Sequence, residues 1–167
     1  NKFGGIGEIS LSKEHLAYLN LNNQVIVWDF PSLTLHKIFT GNHYAISSED
    51  YCIIVSHADG TIISYLLASG LEMGRVQFSH DPATKVVSSK FSYIATSHLA
   101  KIILWDPVLN LIGYLDGHEN KVTELEFHNK KRVMASGSLD CDIILWDLDS
   151  KNKKLTLTGH SGSIKCL

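Results

Sequence analysis

Short runs in which apolar side chains alternate with polar ones, or stand unbroken for four or five residues, recur along the chain with turn-forming stretches between them. Residues 121–127 read "KVTELEF", 133–138 "VMASGS", 143–148 "IILWDL" and 153–159 "KKLTLTG", with "HNKK" and "DSKN" in the gaps. A period of two places successive side chains on opposite faces of a strand, and runs this short suit strands rather than helices. No segment sustains a helical period. The pattern predicts an all-β protein of short antiparallel strands.

A repeat organises these strands. The three tryptophans share one context: "VIVWDF" at Trp28, "IILWDP" at Trp105 and "IILWDL" at Trp146. Trp28 and Trp105 lie 77 residues apart and Trp105 and Trp146 lie 41 apart, so one unit lacks its tryptophan; "GTIISYLLASG" puts Tyr65 in that slot. A second marker runs in step, "LDGH" at His118 and "LTGH" at His160, with worn copies at "FTGNH" (His43) and "QFSH" (His80). Four short strands in a unit of about 40–45 residues, bracketed by Gly-His and Trp-Asp, are the blade pattern of a β-propeller.

On these motifs the chain resembles the WD-repeat family along essentially its whole length, most strongly over 111–167 and most weakly over 35–66. The resemblance implies an all-β WD-repeat propeller of about four four-stranded antiparallel blades. Its units fall at about 6–29, 35–66, 75–106 and 111–148, with the start of another at 153–167. Rings of this family typically have seven blades. The expectation is therefore an incomplete ring whose remainder lies in the same or another chain, and a lone 167-residue chain is expected to expose two apolar blade faces and self-associate.

The stretch "ASGSLDCDIILWDL" poses a choice, because Ser136 and Asp140, with His118 upstream, are the residue types of a serine hydrolase. In blades resembling this one the same positions form a buried structural tetrad: His118, Ser136, Asp140 and Trp146. Buried imidazole, hydroxyl and indole groups each cost about 1–3 kcal/mol unless paired, which gives such a set a structural purpose. A hydrolase would need its serine exposed beside an oxyanion hole. The set also recurs in decayed form. The second unit has His43, Val55, Asp59 and Tyr65; the third has His80, Thr96 and Trp105 with a shorter turn lacking the aspartate; the first has Asn22, Tyr18 and Trp28. A single catalytic site would not repeat in this way, so the structural reading is preferred and no enzyme is expected.

Composition changes this picture little. Hydrophobic residues make up 44% and charged residues 19%, an ordinary globular balance, and the net charge of -2 supplies no global drive toward nucleic acid or acidic lipid. Cys52, Cys141 and Cys166 are an odd count with no CxxC pair, which argues against a disulfide framework or a structural zinc site and favours an intracellular, reducing compartment. No run approaches a membrane span. "FGGIGE" at 3–8 has no following helix or Walker lysine and reads as a flexible lead-in. His57 and His98 fall at similar places in adjacent units but lack carboxylates or cysteines at ligand spacing, so they read as surface or turn histidines. No cofactor and no metal is expected.

Two loop faces are candidates for partners. By analogy with the family, Lys121, Thr123 and Leu139 of the fourth unit, Lys85 and Ala58 of earlier ones, and Lys165 near the end lie where partners dock; the lysines suit either an acidic partner or plain solvation. On the opposite face "HNKKRV" and "DLDSKNKKL" bring together Lys130, Lys131, Arg132, Lys151, Lys153 and Lys154. This basic edge suits either phosphate contact or solvated loop charge, and no interleaved aromatics support base reading.

The function expected is a non-catalytic scaffold for protein–protein interaction in a multi-subunit complex, with direct RNA contact through the basic edge as the alternative. Within the family, "LDGHENKVTELEF" followed by "SGSLDCDIILWDL", including Asp142, resembles the tandem-propeller subunits of the small-subunit processome. That resemblance implies ribosome biogenesis in the nucleolus; other scaffolds of the family share most of the motif, and a cytoplasmic place is the alternative.

Overall fold

The computed structural model describes residues 6–47, 51–78, 82–90, 93–128 and 130–167. Among the described residues sixteen strands form four four-stranded sheets, each a simple antiparallel meander. The first sheet holds β1 (Ile6–Leu11), β2 (His15–Asn20), β3 (Gln24–Asp29) and β4 (Thr34–Thr40), and the second β5 (His43–Ile46), β6 (Cys52–Ser56), β7 (Thr61–Leu66) and β8 (Glu72–Gln77). The third holds β9 (Lys85–Ser88), β10 (Ile94–His98), β11 (Lys101–Trp105) and β12 (Leu111–Asp116), and the fourth β13 (Val122–Phe127), β14 (Val133–Ser138), β15 (Ile143–Asp147) and β16 (Asn152–Leu157). No helix occurs among the described residues, and none is long and apolar enough to cross a membrane.

The core lies between the sheets, and the two-residue period explains how. In β6, Ile53 and Val55 face a cluster shared with Ala17, Val25, Val27 and Phe39 of the first sheet, while Cys52 and Ile54 face one shared with Val86, Ile94, Ile103 and Trp105 of the third. The third sheet repeats the arrangement, turning Ala95, Ile102 and Leu104 toward Leu125, Met134, Ile144 and Trp146 of the fourth. A sheet covered on both faces buries every residue of its second strand, as β6 and β10 do, whereas β2 and β14, in the outer two sheets, keep half-buried positions. Each buried Val, Leu or Ile contributes about 1.5–3 kcal/mol. Polar ties supplement the clusters: Tyr44 Oη donates to the Ala17 carbonyl and Ser88 Oγ to that of Ile46, both at 2.8 Å. Gly74 of β8 lies so close to the next sheet that a Cβ there would stand 2.1 Å from the Val108 carbonyl oxygen.

Two features repeat in every sheet. The hairpin after the second strand carries one residue of positive φ, Asn23, Gly60, Leu99 or Cys141, and the hairpin after the third carries Leu33, Gly70, Leu109 or Lys151. The pairing of third and fourth strands slips just before the aromatic slot: between Val27 and Trp28, Ser64 and Tyr65, Leu104 and Trp105, and Leu145 and Trp146. Tyr65 thus occupies the same bulged position as the tryptophans.

The sheets run out of phase with the units marked by Gly-His and Trp-Asp. Residues 35–40 lie in β4, the fourth strand of the first sheet, and residues 153–157 lie in β16, the fourth strand of the fourth. A Trp-Asp pair marks the third strand, and the strand after it returns by a tight hairpin to pair with that strand. Of "FGGIGE", residues 3–5 fall outside the described residues, and β1 begins at Ile6.

Candidate functional site

In the fourth sheet the register sets Met134 opposite Trp146 and Ser136 opposite Ile144, so the indole and the hydroxyl come from neighbouring strands one pleat apart. Trp146 Nε1 donates to Ser136 Oγ at 2.8 Å, Ser136 Oγ lies 2.7 Å from His118 Nε2, and His118 Nδ1 lies 2.8 Å from Asp140 Oδ2. A carboxylate only accepts, so Nδ1 carries the proton, and Nε2 accepts from the serine hydroxyl. That assignment leaves every donor in the chain with an acceptor.

The same proton order operates in hydrolytic triads, so polarity alone does not decide between structure and chemistry. Access does. Ser136 is 0% exposed and its oxygen is already occupied by the indole N–H. A tetrahedral adduct would need space at that oxygen, with donors aimed at its oxyanion.

Asp140 also ties down two loops, accepting from the Glu119 N–H at 2.9 Å and the Asp142 N–H at 3.0 Å. Burial works to raise its pKa, but the Asp142 N–H, the His118 ring and the Glu119 N–H outweigh it and hold the carboxyl below its ordinary range. A depressed folded-state pKa contributes stability that is present above the unfolded value, about 3.9, and is lost as pH falls through the lower folded value. Asp140→Asn is therefore expected to destabilise the protein at neutral pH, with the gap to wild type closing as pH drops below about 4. Urea melts of both proteins across that range check this; a gap independent of pH would show that the carboxylate charge contributes nothing.

In the third sheet Trp105 Nε1 donates to Thr96 Oγ1 at 2.9 Å, and the histidine beside that hydroxyl is His98, with Nε2 at 3.2 Å. His98 follows Thr96 by two residues on β10, so both face the same side. The expectation that His98 is a surface or turn histidine is thereby corrected: it is 5% exposed and packs with Phe78, whose ring also meets Trp105 edge-on. His57 is half-buried. His80 lies outside the described residues. In the second sheet Val55 fills the hydroxyl slot, Asp59 accepts from the Thr61 N–H at 2.9 Å, and Tyr65 stacks on Phe39. In the first, Tyr18 stands in the hydroxyl slot and Trp28 is half-buried, while Asn22 lies exposed in the turn.

Of the residues expected to meet partners, Lys121, Leu139 and Lys165 are exposed and adjoin, because the Leu139 N–H donates to the Lys121 carbonyl at 2.9 Å and the Ile164 N–H to the Ser138 carbonyl at 3.1 Å. Thr123 turns inward, donating to the Ile164 carbonyl at 2.5 Å with the Gly137 carbonyl at 3.2 Å, so its hydroxyl serves the fold. Lys85 is half-buried and pairs with Glu124 at 3.3 Å. Ala58 is exposed.

The two loops expected to form the basic edge adjoin, but acidic partners stand among their cations. The Leu148 N–H donates to the Arg132 carbonyl at 3.0 Å, which joins the two loops. Lys130, Lys131, Arg132, Lys151, Lys153 and Lys154 are all exposed. Arg132, however, bonds Asp149 at 2.8 Å, Lys153 Nζ donates to the Gly117 carbonyl at 2.9 Å, and Asp147 feels the charge of Lys154.

One constellation has no spacing signal in the sequence. His15, Asp29 and His36 bring three ligand atoms within 4.8 Å of one another, the one such group among the described residues. The signal was available only through hairpin register, which sets His15 opposite Asp29.

Four bulged meanders stacked face to face, one held by a His–Ser–Trp chain under a Gly-His turn, have the fold of a WD-repeat β-propeller. Residues 109–147 match the family model "WD domain, G-beta repeat". The chain is 28% identical over 149 residues to WD repeat and FYVE domain-containing protein 2 of Caenorhabditis elegans, covering 83% of this chain and 35% of the relative. Over 60 residues it is 40% identical to a Lissencephaly-1 homolog of Monosiga brevicollis, covering 36% of this chain and 15% of that protein. The solved structure of U3-55K superposes with a TM-score of 0.84 at 14% identity, covering 99% of this chain and 55% of that one. The RRP9 WD40 repeats give 0.85, 14%, 99% and 54%. At that identity the solved structures speak to the fold alone. The chain spans about a third of the length of the worm relative and about half of the solved chains.

Proposed function

We propose that the chain is a non-catalytic scaffold that holds other proteins in a multi-subunit assembly, docking an acidic, partly apolar partner segment on Lys121, Leu139 and Lys165. The observation that carries this reading is the closure of the one catalytic-looking set: Ser136 is fully buried and bonded to Trp146 and His118, so its chemistry is spent on the blade. Exposed Ile9 and Leu11 on the first sheet and Leu155 and Leu157 on the fourth suit coverage by further blades, from this protein or another. The motif resemblance at residues 115–148 favours a pre-ribosomal, nucleolar assembly within that class.

The second reading, RNA contact through the basic edge, has the joined loops in its favour and the Asp147 and Asp149 carboxylates against it. One experiment separates the two. Tagged full-length protein is captured with and without ribonuclease, beside a Lys121→Glu/Leu139→Glu variant and a variant with Lys130, Lys131, Arg132, Lys151, Lys153 and Lys154 all changed to Gln. The scaffold reading expects ribonuclease-resistant partners that the first variant loses and the second keeps. Partners released by ribonuclease, together with an RNA salt slope flattened by the six-fold change, would favour RNA contact instead. Pre-ribosomal proteins among the partners are the outcome expected of the finer reading, and their absence counts against it.

A further inference from the structure

We propose that His15, Asp29 and His36 form a binding site on the first sheet for a divalent transition ion of the zinc class. Three adjacent strands supply the three donors. His15 on β2 stands opposite Asp29 on β3, and Oδ1 of Asp29 lies 3.4 Å from His15 Nε2 and 2.9 Å from His36 Nδ1. Bonds of about 2.0–2.1 Å to a tetrahedral zinc ion separate its donor atoms by about 3.3 Å. The two distances from Asp29 Oδ1 bracket that figure, and all three donor atoms lie within 4.8 Å of one another, so rotation of the two imidazoles toward each other would seat the ion.

The bulge aims the third donor. Val27 pairs with Lys37 and Trp28 with Leu35, which leaves His36 as the extra residue of β4, and a bulge redirects the side chain it releases. The equivalent extra residues in the next two sheets are Met73 and Ile112, which pack on the apolar clusters between sheets. The first sheet alone places an imidazole there. Asp29 differs from its counterparts as well. Asp106 caps its own hairpin, accepting from the Val108 and Asn110 N–H groups, and Asp147 accepts from the Ser150 N–H. Asp29 instead turns Oδ1 to the two imidazoles, with the Thr34 hydroxyl 3.4 Å from Oδ2.

Hydrogen-bond accounting points the same way. His36 Nε2 lies 2.9 Å from the Leu67 carbonyl oxygen, while Nδ1 faces the carboxylate. Both neighbours are pure acceptors, and an imidazole with a single N–H satisfies only one of them. If Nε2–H serves Leu67, the Nδ1 lone pair points at a carboxylate oxygen, an arrangement that a cation between the two turns from repulsive to attractive. Metal-ligating histidines commonly donate their other N–H to a backbone carbonyl, which fixes the tautomer and the ring. Access is open through Asp29, whose side chain is 42% exposed, while His15 and His36 are 10% and 19% exposed and line the site's inner side. Two nitrogens and one carboxylate oxygen suit zinc or cobalt, with a solvent water as fourth ligand.

The test uses chelator-treated full-length protein and the metals alone. One equivalent of zinc is expected by calorimetry and by elemental analysis after dialysis, and cobalt(II) should produce the visible absorption of a tetrahedral centre. Asp29→Asn and His36→Gln should each weaken uptake at least about a hundredfold, with the strand circular dichroism retained. If either variant fails to fold, nitrogen-15 shifts of the histidine rings in the wild-type protein replace it: zinc should move the Nδ1 resonance of His36 and the Nε2 resonance of His15. Absence of saturable uptake, uptake unchanged in folded variants, or a His36 ring carrying both N–H protons with and without zinc would overturn the site and leave a hydrogen-bonded His–Asp–His cluster.

Discussion

Trp146→Ala is expected to destabilise the protein by at least about 3–5 kcal/mol, the usual cost of truncating a fully buried aromatic side chain, and well beyond the effect of Tyr65→Ala. Trp146 is 1% exposed and lies in the cluster between the third and fourth sheets with Leu104, Leu125, Met134 and Ile144. Its loss opens a cavity there and also removes the donor that Ser136 Oγ accepts from. Tyr65 sits in the same bulged slot of the second sheet, but it is half-buried, stacks on Phe39, and faces a second strand with Val55 where Ser136 would stand. Denaturant melts of the two variants in the full-length protein check the difference. Equal shifts would mean that the polar chain adds nothing to the packing of the aromatic slot.

Periodicity and spacing made the strands, the repeat and the Tyr65 slot legible, because a bulge and an aromatic residue at a fixed offset leave a one-dimensional trace. Phase was harder to see. Trp-Asp and Gly-His mark positions within a unit but not where one sheet ends, so residues 35–40 read as the start of a second unit although they pair with β3. The turn residues were also hidden. Leu99, Cys141 and Lys151 take positive φ with no glycine or asparagine to announce it, because the strands on either side impose the hairpin. His98 does end β10, as its position in the unit suggests, but its ring turns inward to Thr96 rather than to solvent, which is a consequence of register and invisible in one dimension. The His15–Asp29–His36 cluster depends on register twice, once across a hairpin and once through a bulge, which is why spacing searches pass over it.

Ser136→Ala removes only one oxygen atom, yet its expected cost is large for so small a change. The hydroxyl is the shared partner of two buried groups, Trp146 Nε1 at 2.8 Å and His118 Nε2 at 2.7 Å. Each buried polar group left without a partner costs about 1–3 kcal/mol, and no water-sized space is created by deleting a hydroxyl from a packed sheet. If the chain acts as one network, the cost must depend on who else is present. In a Trp146→Phe background one of the two orphaned groups is already gone, so Ser136→Ala should cost less there than in wild type, with a coupling of about 0.5–3 kcal/mol in a double-mutant cycle. Ser136→Thr keeps the oxygen, as Thr96 does under Trp105 in the neighbouring sheet, and should recover most of the loss to the extent that its extra methyl is accommodated. Strictly additive single and double variants would break the network into independent contacts. In that case the closure of Ser136 would rest on its burial alone.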